Sequence, residues 1–206
     1  MSLTHSDDTG TVGHGAVRPL HERDALASAR VYATVLGWPI AAGHRHRRRA
    51  GCTCPAGTSC PVPGAHPRPG PLTPLDPDGL AEAFEQAPGA GIVAPCTPFD
   101  AVTLTGPIGT ALLLMLDRFA FYAPAVATVY GTVSLLVERG TGPRLTEAFA
   151  GLTVHQGPGA WIALPPSYGV RWETPPEPLR PLPHTLAIRP HLERVVTLAR
   201  RSGDLP

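Results

Sequence analysis

Hydrophobic residues recur at helical spacing in four segments of the chain, the first of them near the N-terminus. In RDALASARVYATVLGWP, the apolar residues that share one helical face are Leu26, Ala29, Ala33 and Leu36. Residues spaced by three or four positions lie on one side of a helix, and an apolar side packs on a core. Gly37 and Pro39 follow and are typical of a helix end. The segment therefore predicts a helix that stops near Gly37.

The other three helical segments lie in the middle and at the C-terminal end of the chain. In DPDGLAEAFEQAPGA, Asp76 suits the N-cap position and Pro77 the first helical position, with Leu80 and Phe84 on one side. GPIGTALLLMLDRFAF opens with Pro107 and predicts a buried helix. Its repeating apolar residues are Ile108, Leu112, Met115 and Phe119. The last helix carries Leu192, Val195, Val196 and Ala199.

Between the helices, short runs of β-branched and apolar residues predict strands. GIVAP and FDAVTLTG follow the second helix. AVATVY and TVSLLVE follow the third and meet at Gly131, which favours a hairpin or bend there. LTVH and AWIAL come next and flank QGPG, which is typical of a turn between two strands. The order of these elements indicates an α+β domain whose helices pack on one sheet.

Composition favours one globular domain with long connections. Of the 206 residues, 43% are hydrophobic and only 16% are charged, so a core can form. The 22 glycines and 26 prolines favour irregular segments between elements. We expect residues 1–22 to be a disordered leader and residues 23–180 to form the domain. Residues 181–206 are expected to be a C-terminal extension that contains the last helix.

Charge and hydropathy narrow the classes of partner. The formal net charge is +1, so no global field recruits nucleic acid or an anionic membrane, and a basic binding surface has to be local. No run reaches the roughly 18 apolar residues of a membrane span, and the first residues lack the apolar region of a signal peptide. We therefore expect a cytoplasmic protein with no membrane partner, whose clustered cysteines bind metal more often than they form disulfides.

The stretch GCTCPAGTSCPVPGAHP is the strongest chemical signal in the chain. It places three thiols and one imidazole, those of Cys52, Cys54, Cys60 and His66, within fifteen positions. Zinc prefers four tetrahedral ligands, and three cysteines with one histidine are a common structural set. Four protein ligands would leave no open position on the ion. The sequence therefore predicts a structural zinc site that replaces a core within a loop at about 43–75.

Alternatives to this zinc site remain open at the level of sequence. The loop could carry free thiols or a disulfide, because Cys-x-Cys is less diagnostic than paired Cys-x-x-Cys. His44 and His46 are alternative ligands. Cys96 lies apart from the cluster, and we expect it to be a small buried apolar residue.

A basic run, HRHRRR, directly precedes the cysteines. Its arginines are Arg45, Arg47, Arg48 and Arg49. Arginines can bind phosphate groups without reading sequence, so the run predicts a weak nucleic-acid contact. The competing interpretation is a solvated loop with no ligand.

Signatures of catalysis are missing from the sequence. It contains no Gly-x-Ser-x-Gly, no phosphate-binding Gly-x-x-x-x-Gly-Lys and no His-Glu-x-x-His. Between residues 91 and 164, the predicted strands carry only Asp100 and Glu138 as carboxylates. A two-metal active site needs several acids that converge on the ions. The sequence does not display such a set.

Six segments, in their order and spacing, carry a family resemblance. They are GWPI, CPVPGAHP, APGAGIVAP, FDAVTLTGPIGTALL, TVYGTVSLLV and GPGAWIALPPSYGVRWE. The last is the most specific, because a Gly-rich turn and a strand lead into Pro165, Pro166 and Ser167. Over about residues 25–175 the chain resembles the bifunctional DNA primase/polymerase N-terminal (prim-pol) domain family, as a stand-alone member with a Cys-rich insert.

The resemblance implies an RRM-like core with a mostly antiparallel sheet, and it also locates the family's functional positions. In the family, Asp-x-Asp on one strand binds divalent metal, and the matching positions here are Thr103 and Thr105. A Gly-Gly-x-His turn, whose His meets the nucleotide phosphates, matches Gly131 and Ser134. The family's third acid falls within residues 152–155, where none is present.

Neighbouring polar residues do not replace the missing acids in this alignment. Strand alternation places Asp100 on the face opposite Thr103 and Thr105. We expect His155 to be a residue at a strand end. A hydroxyl is a poor magnesium ligand, so no catalytic magnesium is expected.

The sequence thus favours a prim-pol-like protein without nucleotidyl transfer that binds nucleic acid or a nucleotide weakly, or binds a protein partner. One alternative is an active primase/polymerase in replication that uses other residues or a partner's acids. Another is a purely structural domain that zinc stabilises.

Overall fold

A computed structural model describes residues 24–203, so the expected leader at residues 1–22 lies outside the described residues. Four α-helices occur in the described range: α1 (Ala25–Thr34), α2 (Pro77–Gln86), α3 (Gly106–Arg118) and α4 (Thr185–Ser202). Its seven strands are β1 (Ala41–Arg47), β2 (Gly51–Cys52), β3 (Ala90–Thr105), β4 (Ala125–Thr128), β5 (Thr132–Glu138), β6 (Thr153–Leu164) and β7 (Val170–Thr174). Two short 3-10 helices occupy Gly57–Ser59 and Gly142–Leu145.

Side-chain caps fix the starts of the first two helices. The Asp24 carboxylate accepts a hydrogen bond of 2.9 Å from the Leu26 amide at the start of α1. Asp76 accepts one of 2.7 Å from the Gly79 amide at the start of α2, where Pro77 is the first helical residue as predicted. Each cap satisfies an amide that has no partner within its own helix.

The sixteen-residue strand β3 is the centre of the sheet. Its N-terminal half pairs with β1 and its C-terminal half with β5, and β6 pairs with both halves. Since Val102 pairs with both β5 and β6, these two strands occupy opposite edges of β3. The main path runs β2-β1-β3-β5-β4-β7, and every pair in it is antiparallel.

The turn between β6 and β7 connects strand β3, strand β7 and helix α1. The Ser167 hydroxyl accepts a hydrogen bond of 2.7 Å from the Ile92 amide of β3 and donates one of 3.2 Å to the Ile92 carbonyl. The Tyr32 hydroxyl of α1 donates to the Pro165 carbonyl at 2.8 Å and accepts from the Trp172 indole at 2.9 Å. The Pro-Pro-Ser segment therefore joins the sheet to α1.

Two hydrophobic cores lie on the two faces of the sheet. The first packs α1 and α2 against residues of β3 that include Ile92, Ala94 and Phe99, and irregular pairing after Cys96 changes which alternate residues of β3 face this core. The second packs α3 and α4 against Val102 and Leu104 of β3 and against their neighbours on β5. Alternation along β3 sends successive side chains to opposite faces, so one strand supplies both cores. The α+β class predicted from the sequence is confirmed.

The last helix belongs to the same packed unit as the sheet. Ile188, Leu192 and Val195 of α4 are buried in the second core, and the Thr185 hydroxyl donates to the Thr141 carbonyl at 2.7 Å. Helix α4 within this C-terminal segment thus packs on the sheet.

Several strands differ from the sequence prediction. GIVAP and FDAVTLTG form the single strand β3, and LTVH and AWIAL form the single strand β6. The QGPG segment is not a turn, because β6 continues through it with a register shift between Gly157 and Trp161. Prolines and glycines that usually end strands are tolerated at such irregularities.

Other differences have local causes. Strand β1 begins before the predicted loop at 43–75 and continues into its first residues, whose polar side chains gave no strand pattern, and β7 was not predicted. Phe119 lies at the C-cap of α3 with 52% of its surface exposed, not on the buried face. Among residues 24–203, no helix is both long and apolar enough to cross a membrane.

Gly109 provides a test of the packing between α3 and the sheet. A Cβ at this position would lie 2.5 Å from the Val133 Cβ of β5, too close for two carbon atoms. We predict that Gly109→Ala lowers the free energy of unfolding by about 1–2 kcal/mol, because so short a contact should cost about 2–3 kcal/mol, the upper part of the overpacking range, and the gain in helix propensity offsets about 1 kcal/mol. Urea denaturation measures this difference.

Gly159→Ala is the matched control for Gly109→Ala. A Cβ at Gly159 meets no atom within 4 Å, so this change should alter stability by less than about 0.5 kcal/mol. Equal destabilisation by the two variants would contradict the proposed contact between α3 and β5.

Candidate metal centre and the adjoining cavity

The four predicted metal ligands come together beside the β1–β2 hairpin. Cys52 ends β2, and Cys54, Cys60 and His66 follow on the irregular segment beyond it. Their ligand atoms all lie within 4.8 Å of one another. The His66 Nε2 atom is 3.3 Å from the Cys52 Sγ and 3.4 Å from the Cys60 Sγ.

This donor set fits a zinc ion. With Zn–S bonds of about 2.3 Å and Zn–N bonds of about 2.0 Å, the ligand atoms of a tetrahedral site are separated by about 3.5–3.8 Å. The distances from His66 to the two cysteines are close to these values. The His66 Nδ1 atom lies 3.1 Å from the Pro67 carbonyl, to which it can donate, leaving Nε2 to bind metal. Cys52, Cys54, Cys60 and His66 form a cluster compatible with a metal site.

Glycines allow the segment to fold around this cluster. Gly51, Gly57 and Gly64 have φ values of 73°, 54° and 71°, in the left-handed region that favours glycine. Gly64 also donates its amide to the Cys52 Sγ at 3.4 Å. A Cβ on Gly64 would lie 2.8 Å from the His46 amide nitrogen, so the loop approaches β1 too closely for a side chain.

The cysteine thiols differ in acidity. Burial, together with the neighbouring Cys54 and Cys52, raises the pKa of Cys60 to about 11. Burial acts to raise the pKa of Cys54 as well, but hydrogen bonds from the Cys52 thiol and from backbone amides lower that pKa below its ordinary value. A metal ion binds thiolates, so binding here releases protons and strengthens as the pH rises.

The two alternative histidine ligands make other contacts. The His44 Nδ1 atom lies 3.1 Å from the Thr53 hydroxyl, and burial lowers the pKa of His44, as do His66 and Arg68 nearby. His46 stacks on Tyr168 with ring centroids 3.6 Å apart. Neither belongs to the ligand cluster.

The alternative of a disulfide does not occur, because all four cysteines of the chain are free. Cys96 is fully buried in the first core, away from the cluster. Burial, together with the nearby Asp100 charge, raises the pKa of Cys96 to about 12.

The basic run divides into two parts. Arg45 is half-buried on β1 and donates to the Pro88 carbonyl at 2.8 Å, so it helps to hold the strand. Arg47, Arg48 and Arg49 are exposed at the tip of the β1–β2 hairpin, and none of them forms an ion pair in the part of the chain that is described. Three guanidinium groups without ion pairs in this range are therefore adjacent to the cluster of cysteine and histidine ligands.

A cavity of about 370 Å³ opens on the same face of the sheet as the first core. Two cross-strand pairs of hydroxyls lie in its wall. Thr103 and Ser134 are 2.7 Å apart, and Thr128 and Thr132 are also 2.7 Å apart. These distances are those of hydrogen bonds between neutral groups.

Sheet register explains which predicted positions reach the cavity. Thr103 pairs with Ser134, and both line the cavity. Thr105 pairs with Thr132 but is exposed at the N-cap of α3 and does not line it. The structure therefore brings Thr103 and Ser134 together and leaves Thr105 at the edge.

Asp100 lies on the opposite face of β3, where alternation predicts it. Its carboxylate is buried and accepts a hydrogen bond of 2.9 Å from the Gly142 amide. It faces away from the cavity and already has a backbone donor as its partner.

His155 is the cavity residue that sequence reasoning set aside. It lies inside β6, paired with Ala101, rather than at a strand end. Burial lowers its pKa, which favours the neutral imidazole. Val154 packs on the second core, and successive side chains of a strand point to opposite faces, so His155 lies on the cavity face. This alternation is the sequence signal that could have identified it.

Comparisons with protein-family models, with curated proteins and with solved structures gave no match to this chain. The geometry of its own residues therefore carries the functional argument.

The ligand cluster predicts one zinc ion per chain. Replacing Cys60 with Ser should abolish stoichiometric metal, because a hydroxyl does not replace the thiolate in a site of four protein ligands. Metal analysis by mass spectrometry after gel filtration checks this. Cys96→Ala, which removes a thiol outside the cluster, should keep one ion per chain. A metal content near zero in the unaltered protein would refute the site.

Proposed function

We propose that this chain is a nucleic-acid-binding domain of prim-pol-like plan that lacks nucleotidyl transfer. The observation that carries the proposal is the hydroxyl pair Thr103–Ser134 on the sheet face where the resemblance expects a metal-binding acid and a phosphate-binding histidine. Each hydroxyl is already the other's hydrogen-bond partner, and neither carries the charge that holds a divalent cation.

The surroundings of this pair support the same conclusion. No carboxylate lines the cavity among the described residues, and Asp100 lies on the other face with Gly142 as its partner. Nucleotidyl transfer usually needs metal ions that activate the attacking oxygen and stabilise the leaving pyrophosphate. The cavity has no acidic group with which to hold such ions.

The β1–β2 hairpin is the surface that we assign to nucleic acid. Arg47, Arg48 and Arg49 are adjacent, exposed and without ion pairs in the described range, so their charges are available to phosphates. Tyr168 is 49% exposed and stacks on His46 of the same hairpin, which adds an aromatic surface beside the charges. Arginines with an adjacent aromatic ring suit single-stranded nucleic acid, whose bases can stack.

The first prediction from this proposal concerns chemistry. The chain should not extend a primer on a template with magnesium or manganese, because Thr103 and Ser134 supply no ligand charge for the ions. Incorporation of labelled nucleotides measures this. Asp100→Ala and the double variant Thr103→Asp, Thr105→Asp are assayed beside it. Robust incorporation by the unaltered chain that Asp100→Ala abolishes would replace the proposal with an active enzyme.

The second prediction concerns binding. Three phosphate contacts to a single strand give a salt slope of about −2, so affinity for single-stranded DNA should fall about 20-fold between 50 and 200 mM salt. Replacing Arg47, Arg48 and Arg49 with Ser should remove most of the affinity and of the salt slope. Fluorescence anisotropy with labelled oligonucleotides of two unrelated sequences measures both quantities.

A matched control separates the hairpin from net charge. Arg139, Arg144 and Arg194 are exposed and have no ion pair in the described residues, and their triple replacement with Ser removes the same charge elsewhere. This variant should retain binding within about threefold. Equal losses of affinity in the two triple variants would show that binding depends only on net charge. Unchanged affinity in the hairpin variant would show that nucleic acid does not bind this surface.

A further inference from the structure

The cavity beside the metal cluster is electrically neutral. None of its described lining residues is Asp, Glu, Lys or Arg. Its two titratable residues are neutral near pH 7, because burial lowers the pKa of His155 and raises that of Tyr130 to about 12. A charged ligand would lose its hydration here without meeting an opposite charge. The lining therefore disfavours both anions and cations.

Hydrogen-bonding groups are nevertheless available inside the cavity. In each hydroxyl pair, Thr103–Ser134 and Thr128–Thr132, one hydrogen joins the two oxygens, and the other stays free to donate. His155 makes no side-chain hydrogen bond within the described residues, so its ring offers one donor and one acceptor. The polar groups suit a neutral ligand that both donates and accepts.

The rest of the lining is apolar and partly aromatic. Trp161, Ile162 and Ala163 of β6 line it together with Val126 of β4. Binding sites for small molecules typically combine an apolar lining with a few placed polar groups, in volumes of about 300–1,000 Å³. The cavity has this composition and, at about 370 Å³, this size.

The segment between two metal ligands forms one wall of the cavity. Val62 and Ala65 line the cavity, and they lie between Cys60 and His66 in the chain. The Tyr130 hydroxyl, which belongs to the β4–β5 turn, donates to the Pro63 carbonyl at 3.0 Å and fixes this wall to the sheet. The wall is thus held by a hydrogen bond on the sheet side and by the ligand cluster on the other.

We propose that this cavity is a binding site for an uncharged small molecule with a flat apolar body and a hydrogen-bonding edge. Metal binding by the adjacent ligand cluster then fixes the position of the wall that contains Val62 and Ala65. The site is separate from the arginine hairpin to which nucleic acid is assigned. Failure of nucleic-acid binding leaves it intact, and its own failure leaves the hairpin argument intact.

A charge series of equal shape tests the ligand class. The probes are 2-naphthalenemethanol, 2-naphthylmethylamine and 2-naphthoate, which share one ring system and differ in charge at pH 7. Ligand-observed NMR titration of the metal-loaded protein gives their affinities. The neutral alcohol should bind at least tenfold more tightly than either charged analogue. Equal binding of all three probes, or no binding of the alcohol, would overturn the proposal.

Substitutions test the place of binding. Gly159 lines the cavity with open space at its Cβ and without a left-handed backbone, so Gly159→Phe can fill the cavity without strain at its Cβ. This variant should bind the alcohol with an affinity at least tenfold lower. Gln156→Phe, at an exposed position of the same strand outside the lining, should leave the affinity within twofold. Equal affinities for Gly159→Phe and the unaltered chain would place binding elsewhere and overturn the proposal.

Two further measurements test the polar groups and the wall. Thr103→Val removes one hydroxyl of the cavity and should weaken the alcohol about three- to tenfold, whereas Thr105→Val, outside the lining, should not. Removing the metal with a chelator should weaken the alcohol at least fivefold, and restoring zinc should recover its affinity. A Thr103→Val affinity equal to that of Thr105→Val would overturn the role of the hydroxyls. An affinity that metal removal does not change would overturn the role of the metal.

Discussion

The pairing of β3 with three other strands is the constraint on which the structure depends. One strand of sixteen residues carries β6 along one edge and β1 and β5 along the other. Its side chains contribute to both cores, since α1 and α2 pack on one face of the sheet and α3 and α4 on the other. Because successive side chains point to opposite faces, a shift of β3 by one residue would exchange the two faces.

The same register determines the chemistry of each face. Thr103 and Ser134 meet because they pair directly across β3 and β5. Asp100 points to the other side and accepts the Gly142 amide. A shift of one residue would place the Asp100 carboxylate on the face of the sheet that carries the cavity and the Thr103 hydroxyl on the face of the second core. The neutrality of the cavity is therefore a property of strand register as much as of composition.

The metal cluster has a different structural role. The segment from Cys52 to His66 contains one short 3-10 helix and few buried apolar side chains, so it cannot build a core of its own. Four ligands on one ion would provide the cross-links that this segment lacks. Since Val62 and Ala65 of the segment line the cavity, the order of the loop and the shape of the cavity are linked.

Much of the fold was predictable from local signals. Residue type and spacing predict the N-cap Asp76 and first helical residue Pro77, the apolar faces of α2 and α4, and the four clustered candidate metal ligands. Strand β1 was not predictable in this way, because AAGHRHR has no apolar alternation and is held by backbone pairing with β3.

Long-range register accounts for the remaining differences. The sequence around Gly157 predicts a turn, but pairing with β3 keeps β6 extended through these residues. His155 consequently lies within a strand and lines the cavity. Which polar residues share a face depended on pairings between strands far apart in sequence, and local patterns do not contain that information.

A metal site that replaces a core also makes part of the molecule responsive to its surroundings. Above the dissociation constant of the ion, each tenfold rise in free metal adds about 1.4 kcal/mol to the stability of the state that binds it. With an ion on Cys52, Cys54, Cys60 and His66, the order of the segment from Cys52 to His66 would therefore depend on the concentration of free ion.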